Sequence, residues 1–113
     1  MESELSNKKC VPCEGGIEPI EREQSLKFLS KLDSDWVLSE DNKYISREFK
    51  FKNHYELISA VNLIAWISHK EDHHPEVTFG YSNLSIKFFT YAIDGLSEND
   101  FICAAKIDKT MKY

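Results

Sequence analysis

From Val77 to Phe89 the chain alternates with period two. Val77, Phe79 and Tyr81 take turns with Thr78 and Gly80, and after Ser82-Asn83 the residues Leu84, Ile86 and Phe88 take turns with Ser85, Lys87 and Phe89. Successive strand side chains point to opposite faces, so this pattern around a short polar break predicts an antiparallel hairpin with one apolar face. A second, earlier pair is predicted where Trp36-Val37-Leu38 and Tyr44 to Phe51 flank the turn-prone Glu40-Asp41-Asn42, with Ile45, Arg47, Phe49 and Phe51 sharing one side.

Helical spacing fills the intervals. Leu26, Phe28, Leu29 and Leu32 predict a first helix within Ile20–Leu32, ended by Asp33-Ser34-Asp35. Asn53 is a cap with Glu56 three residues on, and Ile58, Val61 and Ala65 form the predicted stripe of a second helix running to about Glu71. Pro75 disfavours helical geometry at His74, so this helix ends at or before the His-His pair. The last predicted strand ends near Thr90-Tyr91. The Asp94-Gly95 turn then leads to Ser97, a cap with Asp100 three residues on, and to a third helix burying Cys103, Ala104, Ile107 and Met111.

The order α-β-β-α-β-β-α with hairpin-linked strands predicts an α+β sandwich, an antiparallel sheet with three helices packed on one face. The other sheet face would leave Phe89 and Tyr91 partly bare, and pairing with a copy of itself would cover them; a homodimer or homotetramer is expected.

A length of 113 residues suits one modest core, expected over residues 19–113, with residues 1–18 as a flexible polar leader and Pro19 as the start signal. The densest apolar run, Leu63 to Ile67, is far below the ~18 residues of a membrane span. The start MESELSNKKC lacks the basic and apolar regions of a secretory signal, so a cytoplasmic location is expected. A net charge of −5 with scattered lysines, only Lys106, Lys109 and Lys112 lying near one another, argues against nucleic acid as a direct ligand. Three cysteines in a reducing compartment are expected to be free thiols.

The densest reactive cluster is Glu71-Asp72-His73-His74-Pro75-Glu76. Imidazole titrates near neutral pH and can both take and give a proton, so two of them at a helix exit are candidate acid/base groups; a solvated polar helix end is the plainer alternative. His69, His73 and His74 also invite a metal reading, but Pro75 bends the chain before three rings converge, and no metal is expected. Cys10-Val11-Pro12-Cys13 has redox or zinc-ribbon spacing without a second pair. Trp36 and Trp66 are core or interface residues, or could line a flat heteroaromatic ligand. Gly-rich phosphate loops and the GxSxG elbow are absent, which disfavours nucleotide hydrolysis and serine hydrolase chemistry.

Taken together, Asp72-His73-His74-Pro75-Glu76, Tyr81, Thr90-Tyr91 and Asp94 to Asp100, with Trp36 and Phe49-x-Phe51 upstream, resemble the pterin-4a-carbinolamine dehydratase family, also known as the dimerisation cofactor of a homeodomain transcription factor. The resemblance spans about residues 20–110. It implies a four-stranded antiparallel sheet with helices on one face, a dimer or tetramer, and dehydration of 4a-hydroxytetrahydropterin to quinonoid dihydropterin. This is the recycling step after aromatic amino acid hydroxylation, so a hydroxylase is the implied pathway partner, and no metal or organic cofactor is needed. By resemblance, His73 and His74 match two of three active-site histidines, Pro75 shapes the pocket, and Thr90, Tyr91, Ala92 and Ile93 form the opposite, substrate-contacting wall. Asp100 matches the family's motif aspartate, though helix capping is its simpler role. Tyr91 departs from the pattern, standing where the family usually has His, or in some members Trp. A phenol near its ordinary pKa of about 10 is a poor proton shuttle at neutral pH, so Tyr91 is expected to hydrogen-bond the pterin with some loss of rate. A weakly active or non-catalytic protein-binding cofactor is the alternative.

Overall fold

The computed structural model describes residues 4–11 and 17–111. After a short 3-10 turn at Glu4–Asn7, the elements are α1 (Arg22–Leu29), β1 (Val37–Leu38), β2 (Ile45–Lys50), α2 (His54–Glu71), β3 (Glu76–Phe79), β4 (Asn83–Phe88), a 3-10 turn at Tyr91–Ile93, and α3 (Glu98–Thr110). The expected order and α+β class are present. The four strands run β1-β2-β4-β3, with every neighbouring pair antiparallel.

Register explains the core. Ile45 faces Phe88, Arg47 faces Ile86 and Phe49 faces Leu84 across β2 and β4. On the far side Val77 and Phe79 face Ile86 and Leu84. This face carries the apolar set, and Ile45, Leu84, Ile86 and Phe88 are essentially inaccessible beneath the helices. The β3–β4 pairing extends to a Gly80 N–H bond to the Asn83 carbonyl, which puts the turn at Tyr81-Ser82, one residue earlier than expected.

Helix α2 is capped as expected: the Asn53 side chain accepts from Glu56 N–H at 2.9 Å. The Glu56 carboxylate reaches back to the Lys52 N–H, not to Asn53, so the box is displaced by one residue. Asn53→Ala should destabilise the fold by about 0.5–2 kcal/mol, measured by urea denaturation. The stripe α2 buries is Leu57, Ala60, Ile64 and Ile67, whereas Ile58 and Val61 are half-buried and Ala65 is exposed. Both sets satisfy helical spacing, and the sheet selects the first. The helix ends at Asp72, which takes the left-handed conformation (φ 53°) immediately before the histidine pair.

Helix α1 is shorter than the predicted span, and its Ser25 is buried while Leu26 is exposed. Phe28 packs on Phe101 of α3 with ring centroids 5.1 Å apart. Arg47, whose side chain is 14% exposed, reaches Asp108 of α3 at 2.7 Å, and Trp36 Nε1 donates to the same carboxylate at 2.8 Å. Burial pushes the Asp108 carboxyl above its ordinary pKa, against the hydrogen bonds and the guanidinium that favour its charge.

Two sequence expectations change. Strand β4 ends at Phe88, and Thr90 forms only an isolated bridge with Gly95 around the tight turn at Tyr91–Ile93. Phe89 and Tyr91 therefore lie beyond the sheet and not on its bare face. A Cβ at Gly95 would fall 2.7 Å from Pro19 Cβ, so a side chain there would displace the chain entering α1. The leader is also less loose than its polar composition implies, because residues 4–11 form a strap along α3: Leu5 is 2% exposed, and Lys106 Nζ donates to the Ser6 carbonyl at 3.0 Å. Helix α3 buries Phe101, Ile102 and Ala105 beside the predicted Cys103, Ala104 and Ile107, whereas Met111 is only partly buried at its end. Cys13, Gly15 and Gly16 lie outside the described residues.

Candidate active site

The left-handed Asp72 turns the chain sharply off α2, and His73 N–H closes the helix end on the Ser68 carbonyl at 3.1 Å. That turn points His73 at the start of α3. Its Nε2 donates to Asp100 Oδ1 at 2.6 Å, and its ring lies parallel to Phe88, 6.0 Å between centroids and 5° between planes. The His73 side chain is 12% exposed and that of Asp100 is fully buried.

Asp100 also closes a buried loop of hydrogen bonds. Its Oδ2 accepts from Ser97 N–H at 2.9 Å and from the Thr90 hydroxyl at 2.8 Å. Ser97 Oγ lies 2.7 Å from Thr90 Oγ1. Thr90 has one hydroxyl hydrogen and gives it to Asp100, so Ser97 donates to Thr90. Capping and histidine-holding are therefore one arrangement, in which the cap uses one carboxylate oxygen and the imidazole uses the other. Donation through Nε2 fixes the ring plane and, in the neutral imidazole, leaves the free lone pair on Nδ1.

An open cavity of about 380 Å³ lies beside this pair, large enough for a small ligand. Asp72, His73 and His74 form one wall; Phe89, Thr90, Tyr91 and Ala92 form the other. Val11 of the strap and Asn99 of α3 complete it. His74 is exposed and Tyr91 is 87% exposed, with its ring 6.2 Å from that of Phe89. Of the residues singled out from sequence, His73, His74, Thr90, Tyr91 and Ala92 come together here, while Pro75 and Ile93 lie outside the lining. Sequence reading missed Val11, Asn99 and the Asp100–His73 contact. The available signal for the last was a capping carboxylate at Asp100, which needs only one of its oxygens for the cap. His69 packs against Trp66, 5.8 Å between ring centroids, and among the described residues no three His, Cys, Asp or Glu side chains gather as a metal cluster.

Fold and cleft together define a small α+β domain with a carboxylate-held histidine beside an open ligand pocket. The chain belongs to the pterin 4 alpha carbinolamine dehydratase family, whose model matches residues 18–110. It is 53% identical over 109 residues to a protein of Nitrosomonas europaea provisionally named pterin-4-alpha-carbinolamine dehydratase, covering 96% of this chain and 95% of that one. A Legionella pneumophila protein with the same provisional name is 48% identical over 111 residues, 98% of each. Among solved structures, a transcriptional coactivator/pterin dehydratase from Brucella melitensis superposes with a TM-score of 0.78 at 25% identity, over 84% of this chain and all of that one. A pterin dehydratase-like RuBisCO assembly factor of the alpha-carboxysome shares the fold, with a TM-score of 0.58 at 18% identity over 66% of this chain and 87% of that one.

Proposed function

We propose that this protein dehydrates 4a-hydroxytetrahydrobiopterin, the pterin-4a-carbinolamine, to quinonoid dihydropterin and water in tetrahydropterin recycling. The observation that carries the reading is His73, gripped by buried Asp100, beside His74 at the mouth of a pocket of pterin-compatible size. In the reaction the C4a–O bond breaks and the hydroxyl leaves with a proton as water, while a ring nitrogen gives up its proton and its electron pair forms the new C=N bond. One acid and one base at opposite edges of the ring meet that need. His73 is the principal acid/base group through Nδ1. His74 assists and binds the pterin, and Thr90, Tyr91 and Ala92 contact it from the opposite wall. Pro75 and Ile93 contribute by shaping the backbone on either side. No organic cofactor or metal enters these steps.

Tyr91 acts as a hydrogen-bonding substitute at the rim. Tyr91→His should raise kcat, up to about tenfold, by supplying a group that titrates near neutral pH. An unchanged rate would show that the phenol position carries no proton. The deciding assay is stopped-flow breakdown of 4a-hydroxytetrahydropterin: wild-type acceleration over the uncatalysed rate is expected, and none would remove the enzyme reading.

That second outcome would favour a partner-stabilising cofactor. This alternative draws on Tyr91 in place of the family's usual histidine and on the coactivator description of the Brucella protein. Under either reading a cytoplasmic homodimer or homotetramer is proposed, and the exposure of Val77 (36%) and Phe79 (46%) on edge strand β3 supports self-association. A hydroxylase remains the proposed pathway partner.

A further inference from the structure

The N-terminal strap ends at the candidate site, and its last described turn carries a thiol facing another thiol. Cys10 Sγ lies 3.5 Å from Cys103 Sγ of α3, although the two residues are 93 positions apart. The strap is held at this point by Cys10 N–H on Glu71 Oε1 at 2.9 Å. Asn99 pairs with Val11 through both amide atoms, accepting from its N–H at 3.1 Å and donating to its carbonyl at 2.7 Å. Val11 and Asn99 are also the residues that close the pocket beside His73.

The geometry points to Cys10 and Cys103 as a reversible dithiol–disulfide pair that clamps the strap onto α3 and thereby fixes the Val11 wall of the pocket. Cys103 is fully buried on a helix, whereas Cys10 is partly buried on a segment outside helix and sheet. Forming the bond draws the two sulfurs from 3.5 Å to a covalent S–S length of about 2.05 Å. The hydrogen bond with Cys10, and then burial, push the Cys103 thiol well above its ordinary pKa, which leaves Cys10 as the sulfur that meets an oxidant.

With hydrogen peroxide as oxidant, the Cys10 sulfur attacks one peroxide oxygen and becomes a sulfenic acid as the O–O bond breaks and water leaves. The Cys103 sulfur then attacks the Cys10 sulfur, forming the S–S bond, and the sulfenic oxygen departs with the Cys103 proton as a second water. Two thiols and one peroxide yield one disulfide and two waters; the sulfurs lose two electrons and the peroxide gains them. A small dithiol reverses the step.

The test uses the full chain carrying Cys13→Ser, which removes the competing thiol, treated with stoichiometric hydrogen peroxide. The expected result is a loss of about 2 Da in intact mass. A non-reducing peptide map should join Cys10 to Cys103, and Tm should rise by roughly 5–15 °C, returning on addition of dithiothreitol. Cys10→Ser in the same background should abolish both effects, and this partly buried position avoids the folding risk of replacing fully buried Cys103. Persistence of both free thiols, oxidation halting at Cys10, crosslinking only between molecules, or an intramolecular bond with no change in Tm would each overturn the clamp. Mass and Tm read it whether or not the chain dehydrates pterins.

Discussion

Replacing His73 by alanine should slow the proposed 4a-hydroxytetrahydropterin dehydration by ~10²–10⁴-fold, the span expected when a positioned acid/base group is removed. The effect should fall mainly on kcat. Asp100 holds the His73 ring, so the contribution proposed for the imidazole is to proton transfer more than to ground-state binding. His74→Ala should raise KM as well as lower kcat, since His74 is the more exposed of the pair and borders the open cavity. Removing His73 also leaves Asp100 Oδ1 without its donor, which costs about 1–3 kcal/mol of stability. Unfolding must therefore be followed alongside stopped-flow rates. A folded His73→Ala protein with wild-type kcat would transfer the chemistry elsewhere.

The largest stability effect is expected at Phe88. Its ring is fully buried, lies 6.2 Å from that of Trp36 and forms the platform under His73. Phe88→Ala should cost about 3–5 kcal/mol, since the cavity it leaves is hemmed in by sheet and helices. Small domains have roughly 5–15 kcal/mol in total, so the variant should unfold at far lower urea and lose activity beyond its loss of folded protein. Phe88→Leu keeps most of the volume and should cost under about 1.5 kcal/mol. A loss below about 1 kcal/mol for Phe88→Ala would mean that the site can collapse around the missing ring.

Much of this architecture is legible in the chain because local chemistry and tertiary structure agree. Alternation through Val77–Phe88 predicts β3 and β4, Asn53 and Ser97 mark two helix starts, and Pro75 places the histidines outside α2. What escapes is set by distant partners. Leu57 and Ile58 sit on neighbouring faces of the same helix, and only the sheet decides between them. Leu5 lies among polar neighbours, so its burial follows from the contact of its turn with α3, not from any local period. The histidine pair is readable as a cluster, but the Asp100 carboxylate that makes His73 a held group is 27 positions away, already assigned to a cap. Tyr91 is readable as a departure from the family pattern, yet its position at the rim depends on β4 ending at Phe88.

The strap along α3 has a consequence for biogenesis. Residues 4–11 precede α3 in the chain and synthesis runs from the N-terminus, so this contact cannot form until α3 has left the ribosome. Asp100 follows His73 by 27 positions, so His73 is without its carboxylate on any nascent chain that stops short of α3. A product that stops before α3 therefore lacks the dyad. The His73–Asp100 contact thus marks a chain whose synthesis has passed the start of α3.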